Sequence, residues 1–117
     1  MLNRDDAKIS TLVGLLTTNR KLTSLADTYA AGMDMTNYQW QVEAGSKYLR
    51  VDEGSSGFYM INRETEQVYF IKGYGVPNLK KPHGTVDQMI HNLNIANENG
   101  TDYVRTYWYA VPSIPLA

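Results

Sequence analysis

The chain has 117 residues, of which 43% are hydrophobic, and a formal net charge of -1. This length predicts one domain spanning residues 1–117, and the near-neutral charge argues against a protein that binds long nucleic acid, because such binding depends on neutralising many phosphates. The absence of cysteine excludes disulfides and thiolate metal sites.

The N-terminal sequence MLNRDDAK lacks the apolar core of a signal peptide, and no apolar run approaches the length of a membrane span. Together with the absence of cysteine, these features predict a cytoplasmic protein that makes no contact with membranes.

Helical spacing marks residues 1–33 as an N-terminal helical segment. Its main stripe consists of Leu12, Leu15, Leu22, Ala26, Tyr29 and Met33. Asn3 is a candidate N-cap, which would place Asp5 and Asp6 in the first turn. Either one helix runs to about Ala31 with a polar layer at Asn19 and Arg20, or two helices meet at residues 17–21.

A second apolar edge on this segment is formed by Ile9, Val13 and Leu16. It indicates either contact with another copy of the protein or a helix that is well buried in its own chain.

Residues 33–44 are ambiguous. Tyr38, Trp40 and Val42 alternate with polar residues, as in a strand, but Thr36 could cap a helix. We favour a helix or irregular structure for this segment.

The sheet-containing part is predicted to cover residues 46–117. Its clearest strands are residues 47–52, 58–62 and 67–72, followed by a basic, glycine-rich loop at 72–84 that contains no acidic residue. Thr85 is a predicted helix N-cap, Gly100 ends that helix, and residues 102–111 form a predicted last strand. The fold class is therefore α+β, with the N-terminal segment packed on a small antiparallel sheet and a further helix before the last strand.

The candidate binding residues are cations and aromatic side chains around this sheet. Arg50 and Arg105 lie within predicted strands, where a guanidinium pairs with a ligand phosphate or with a carboxylate such as Asp52 or Glu53. His83 lies in the basic loop as a ligand contact or a solvated residue, and no catalytic set or metal motif accompanies it.

The run YLRVDEGSSGFYMINRETEQVYFIKGYGVPN (residues 48–78), with HGT after it, resembles short phage-encoded proteins. With the N-terminal helical segment and the aromatic segment around Arg105, the chain most resembles the first class of Thoeris anti-defence proteins. That resemblance implies a non-enzymatic sponge for cyclic nucleotide immune signals, namely glycocyclic ADP-ribose isomers and, for some members, cyclic oligonucleotides. It also implies a homo-oligomer, a hexamer with pockets between subunits, and no cofactor.

The resemblance also implies roles for individual residues. Arg50 and Arg105 would clamp a diphosphate, while Arg20 and Thr85 would line a second site, near a threefold axis, for a cyclic trinucleotide. The remaining candidates are the possible adenine-stacking rings and the basic-loop contacts, namely Tyr69, Phe70, Tyr74, Lys72 and His83. Two alternatives stay open: an adaptor or inhibitor that binds a host protein through the tyrosine-rich sheet, and a small cyclic-nucleotide-degrading enzyme that uses His83.

Overall fold

The computed structural model describes residues 1–23, 39–108 and 115–117. The elements in chain order are α1 (Ala7–Thr23), β1 (Trp40–Ala44), β2 (Tyr48–Glu53), β3 (Ser56–Asn62), β4 (Gln67–Gly73), β5 (Val76–Thr85), α2 (Val86–Asn99) and α3 (Tyr103–Trp108). The α+β class is confirmed.

The five strands form one antiparallel sheet in the order β1-β2-β3-β4-β5. Successive side chains of a strand point to opposite faces, so each strand divides its residues between the two sides. The inner face supplies the core with Leu49, Val51, Tyr59, Ile61, Val68 and Phe70. The outer face carries a cross-strand row of Glu43, Arg50, Met60, Tyr69 and Pro82.

Helices α1 and α2 supply the other half of the core. Their buried apolar residues recur at helical spacing, which places them on one stripe of each helix. These residues are Ile9, Leu12 and Leu16 in α1, and Val86, Met89, Leu93 and Ala96 in α2. On the second apolar edge of α1, Ile9 and Leu16 are buried within their own chain, whereas Val13 is only half-buried.

A buried amide joins the three helices. The Asn19 side chain donates to Asn97 Oδ1 and to the Thr101 carbonyl, each at 2.8 Å, and its Oδ1 accepts from the Tyr103 amide at 2.8 Å. The polar layer predicted at Asn19 and Arg20 therefore lies within one continuous helix, and its Asn19 side chain connects α1 to α2 and α3. Helix α1 is continuous through residues 17–21, so the break predicted there as an alternative is wrong.

The predicted start of α1 is also wrong. The helix begins at Ala7, so Asp5 and Asp6 precede it. Asp6 turns back instead, and its Oδ2 accepts from the Asn3 amide at 2.9 Å. The predictions made for residues 24–38 and 109–114 concern positions outside the described residues.

Three further assignments differ from the structure. Residues 40–44 form strand β1, because alternation and pairing with β2 outweigh helix propensity. The predicted loop at 72–84 is the end of β4, a two-residue turn and β5, an edge strand whose register shifts accommodate Pro77 and Pro82.

Residues 103–108 form helix α3 where a strand was predicted. Tyr103, Val104, Tyr107 and Trp108 follow helical spacing, so their apolar groups lie on one side of that helix. Both Tyr103 and Val104 are buried in the core.

The predicted ends of α2 are confirmed. The Thr85 hydroxyl accepts from the Gln88 amide, and the Gln88 side chain accepts from the Thr85 amide at 2.9 Å. Gly100 takes the left-handed conformation with φ of 66°. Within the described chain, no helix has the length and apolar character needed to cross a membrane.

Candidate ligand-binding site

A cleft of about 710 Å³ opens between α1, the start of β3 and α3. We name it the arginine cleft, and it is lined by Arg20, Ser56, Gly57, Phe58, Asp102, Val104, Arg105 and Trp108. Two candidates from the sequence, Arg20 and Arg105, therefore share this cleft.

Arg20 is held in the wall of the cleft by carboxylates. Its Nε lies 2.6 Å from Glu53 Oε2 and its Nη2 lies 3.0 Å from Glu53 Oε1, while Asp102 Oδ2 is 4.0 Å from Nη1. Burial alone would lower the pKa of Arg20, but the hydrogen bonds and charge of Glu53, with the charge of Asp102, raise it. The carboxylates of Glu53 and Asp102 thus largely balance the charge of Arg20. Its main role is to shape the cleft wall, and it offers a ligand little unpaired charge.

Arg105 has a different environment at the rim. Its backbone amide donates to Asp102 Oδ1 at 3.0 Å, which fixes the first turn of α3. Its side chain is exposed, and its guanidinium makes no hydrogen bond or ion pair with the described part of the chain. Arg105 is therefore the cleft residue best placed to receive an anionic group.

Two aromatic rings stand beside these cations. The Phe58 and Trp108 rings meet edge to face, with centroids 4.9 Å apart and planes at 64°. Lys81 Nζ donates to the Trp108 carbonyl at 2.6 Å and so ties the end of α3 to β5. Both rings are partly exposed, which leaves apolar surface for a planar ligand group.

A buried hydroxyl lies under the same region. Tyr59 is 1% exposed, and its OH has no hydrogen-bond partner among the described residues. Burial raises its pKa above the ordinary value, and the nearby charges of Arg20, Asp102 and Glu53 also act on it. Tyr59 does not itself line the cleft, but its ring packs against Phe58 and Trp108, which do.

His83 and Phe70, two further candidates, lie in the interior. His83 is 3% exposed, its Nε2 shares a hydrogen bond with the Tyr103 hydroxyl, and its ring packs against Phe70 at 4.6 Å. Burial, assisted by the charge of Lys81, lowers the pKa of His83 to about 3. The prediction that His83 lies on a solvated loop is therefore wrong. Side chains alternate between the two faces along β5, and that of His83 points inward, into the core.

Arg50 and Tyr74 lie on the outer face of the sheet. Arg50 forms an ion pair with Glu43, and its guanidinium lies 5.2 Å from the centroid of the Tyr74 ring. The Tyr74 hydroxyl donates to Asp52 Oδ2 at 3.2 Å. The ion-pair alternative for Arg50 holds, but with Glu43 as the partner, because Glu43 is its direct cross-strand neighbour.

The remaining candidates are also away from the cleft. Tyr69 is on the outer face, where its ring meets Tyr48 edge to face at 6.5 Å. Lys72 is exposed near the end of β4, and the Thr85 hydroxyl is engaged in capping α2. Within one chain, therefore, Arg20 and Arg105 share the arginine cleft, and the other seven of the nine candidates lie elsewhere.

Apart from Arg20 and Arg105, sequence reasoning selected no residue of the cleft or its wall as a ligand contact. The missed residues that supply its charge and its ring surface are Glu53, Phe58, Asp102 and Trp108. The available signal was Arg20, since a guanidinium in an apolar helix requires a carboxylate. Its partner Glu53 is 33 residues away, and no local pattern links them.

Comparison with known proteins found no matching family model, no matching curated protein and no matching solved structure.

Proposed function

We propose that this protein is a phage anti-defence sponge that binds a cyclic nucleotide immune signal in the arginine cleft and holds it without cleaving it. The signal is of the glycocyclic ADP-ribose type, with cyclic oligonucleotides as further ligands. It acts in the cytoplasm of the infected bacterium. The observation that carries the proposal is the exposed guanidinium of Arg105 beside the Phe58–Trp108 ring pair.

The chemistry of the cleft suits a nucleotide. A nucleobase is planar and stacks on aromatic rings, whereas a phosphate oxygen accepts from a guanidinium. Phe58, Trp108 and Arg105 offer both kinds of group in one cleft of about 710 Å³, which lies in the size range of small-molecule pockets.

The state of His83 supports binding over cleavage. A general acid or base works best when its pKa is near the operating pH and when it reaches the reacting atoms. Burial and the Lys81 charge instead lower the pKa of His83 to about 3, and Tyr103 occupies its Nε2. The alternative enzyme that uses His83 is therefore disfavoured.

The opposite placement of Arg50 and Arg105 bears on the oligomer. Arg50 is on the outer face of the sheet, whereas Arg105 lines a cleft on the helix side. If both arginines clamp one diphosphate, as the resemblance implies, they must come from different subunits. A homo-oligomer, and a hexamer in particular, thus remains part of the proposal.

The decisive experiment is a thermal shift screen with cyclic ADP-ribose isomers and with cyclic di- and trinucleotides. A ligand that stabilises the protein is then released by denaturation and analysed by chromatography. Recovery of intact ligand after prolonged incubation is expected. Time-dependent loss of ligand would establish an enzyme, and the absence of any shift across the panel would favour the host-protein adaptor.

A further inference from the structure

The outer face of the sheet contains a second concave site, which is separate from the arginine cleft. A hollow of about 390 Å³ is lined by the β1–β2 turn, by outward-facing residues of β2 and β3, and by Gly75 of the β4–β5 turn. We name it the outer hollow, and its lining includes Lys47, Tyr48, Arg50, Met60 and Gly75.

The hollow combines an apolar floor with cations. Met60 is the central residue of the outer cross-strand row and is only 5% exposed, so neighbouring side chains enclose it. Lys47 Nζ lies 5.6 Å from the centroid of the Tyr48 ring, and the Arg50 guanidinium stands over Tyr74. Each cation is therefore already placed beside an aromatic ring.

Two contacts fix the ring that faces the hollow and the turn that borders it. Tyr69 meets Tyr48 edge to face, which sets the orientation of the Tyr48 ring. On the other side, Tyr74 precedes Gly75, and its hydroxyl is held by the buried carboxylate of Asp52. The wall formed by Gly75 is thus anchored to the sheet.

Gly57 allows the turn that contains Tyr74 to pack closely against the sheet. A Cβ at this position would be 3.0 Å from Tyr74 Cδ1 and 3.0 Å from Ile71 Cδ1, which is closer than ordinary van der Waals contact. The absence of a side chain at Gly57 therefore allows the Tyr74 ring to pack on the sheet and keeps the hollow in shape.

We infer that the outer hollow binds a nucleoside monophosphate, with its base stacked on Tyr48 and its phosphate bound by Lys47 and by Arg50, where the phosphate displaces the exposed carboxylate of Glu43. One ring and two cations match one base and one phosphate, and the volume admits a ligand of that size. A long polyanion fits less well, because Glu43 stands beside Arg50 and the chain carries a net charge of -1. This inference does not depend on the function proposed for the arginine cleft.

Isothermal titration calorimetry with AMP tests the inference in the full chain. Saturable binding is expected for the wild type, with weaker binding of adenosine because it lacks the phosphate. Tyr48→Leu is expected to weaken AMP binding about tenfold through loss of stacking. Lys47→Gln is expected to weaken AMP binding to a similar degree but to leave adenosine binding unchanged.

Lys21→Gln is the matched control, because Lys21 is an exposed cation on α1. If Tyr48→Leu fails to fold, as judged by thermal melting, Lys47→Gln carries the test alone, since Lys47 is exposed. The inference is overturned if AMP does not bind, or if Arg105→Ala rather than Lys47→Gln removes binding. It is also overturned if a single-stranded oligonucleotide binds more than about tenfold tighter than AMP, which would indicate a nucleic-acid surface.

The same calorimetry separates the two proposals. Lys47→Gln and Tyr48→Leu should still bind the cyclic nucleotide found in the screen, because Arg50 is the one residue of the outer hollow that is assigned to that ligand. Failure of AMP binding with retained cyclic nucleotide binding would overturn the outer hollow alone, and the reverse result would overturn the cleft proposal alone.

Discussion

The guanidinium of Arg20 and the carboxylate of Glu53 make a two-point contact, at 2.6 Å and 3.0 Å, that joins α1 to the end of β2. The side chains are 17% and 9% exposed, respectively, so the pair is largely withdrawn from water. Removing either partner would leave the other charge poorly solvated. The pair therefore holds the fold together and also shapes the wall of the arginine cleft.

Glu53→Gln should destabilise the protein. The substitution preserves the shape of the side chain but removes the charge that balances Arg20. Hydrogen bonds to charged groups contribute about 1.5–3 kcal/mol, and we expect a loss of that size in the free energy of unfolding. Urea denaturation followed by circular dichroism measures it.

Glu43→Gln is the matched control for that prediction. Glu43 also pairs with an arginine, Arg50, but its side chain is 59% exposed. Exposed ion pairs contribute about 0–1 kcal/mol, so this variant should unfold close to the wild type. Equal losses in the two variants would contradict the special role assigned to the Arg20–Glu53 pair.

Asn19→Leu should lower the free energy of unfolding by more than the small change in side-chain size suggests. The substitution leaves the Asn97 side chain, the Thr101 carbonyl and the Tyr103 amide without their shared partner. Each buried polar group left unsatisfied costs about 1–3 kcal/mol, so a total loss of about 3 kcal/mol is expected. Asn94→Leu, at an exposed position of α2, should change the unfolding midpoint little, and a similar shift in both variants would refute the junction.

The Asn19 junction illustrates what the sequence could and could not predict. Helical spacing showed a polar position in an apolar stripe, and turn and cap residues marked β2, β3, β4 and both ends of α2. These signals depend on residues that are close together in the sequence, so the sequence alone predicts these elements. The partners of Asn19 lie 78 to 84 residues away, and only the fold brings them together.

The wrong predictions have a related cause. Residues 103–108 contain aromatic and β-branched side chains that favour a strand, and the packing of Tyr103 and Val104 in the core as a helix overrides that propensity. In β5, two prolines and one glycine favour a loop, yet an edge strand with register shifts tolerates them. Local propensity could not resolve either case.

His83 should make stability depend on pH. Its pKa is about 3 in the folded protein, because of burial, against an ordinary value of 6.5. The folded state therefore binds fewer protons than the unfolded state between these values, so the contribution to stability is complete above pH 6.5 and is lost as the pH falls toward 3. At pH 5 the loss is about 2 kcal/mol.

His83→Gln isolates this effect, because glutamine does not titrate but can still bond to the Tyr103 hydroxyl. The difference in unfolding free energy between pH 7.5 and pH 5 should shrink by about 2 kcal/mol relative to the wild type. His91→Gln, at an exposed position of α2, should retain the wild-type pH dependence. A His83→Gln profile parallel to that of the wild type would show that folding leaves the pKa of His83 unchanged and would contradict this prediction.

Thr85→Ala should affect stability and leave ligand binding intact. Loss of an N-cap costs about 1 kcal/mol, and here both halves of a capping box depend on Thr85. The resemblance implies instead that Thr85 lines a trinucleotide site. Thermal melting and calorimetry on the same variant distinguish the two roles, because weaker binding without a change in stability would favour the ligand role.

The candidate binding residues were less predictable than the fold. The sequence marked Arg20 and Arg105 as unusual cations, and the resemblance implied different sites for them, whereas both line the arginine cleft. Arg50 was paired with Arg105, yet the β2–β3 register turns Arg50 to the outer face. Which cations converge depends on strand alternation and helix placement, which residue type alone does not specify.

Arg105→Ala should weaken cyclic nucleotide binding by about 30-fold or more without changing stability. In the proposed complex its guanidinium is enclosed with the ligand phosphate, where losing one partner of a charged pair costs about 2 kcal/mol or more. In the free protein the same side chain is exposed, so the unfolding free energy should stay within about 0.5 kcal/mol of the wild type. Lys21→Ala, an exposed cation elsewhere on the surface, is the control.

Arg20→Ala completes the test of a shared cleft. Because Arg20 and Arg105 line the same cleft, both variants should weaken the same ligand, with an added loss of stability for Arg20→Ala through Glu53. Titration of each variant with a cyclic ADP-ribose isomer and with a cyclic trinucleotide provides the comparison. If Arg105→Ala affects only the first ligand and Arg20→Ala only the second, the arginines serve separate sites, and the shared cleft must be abandoned.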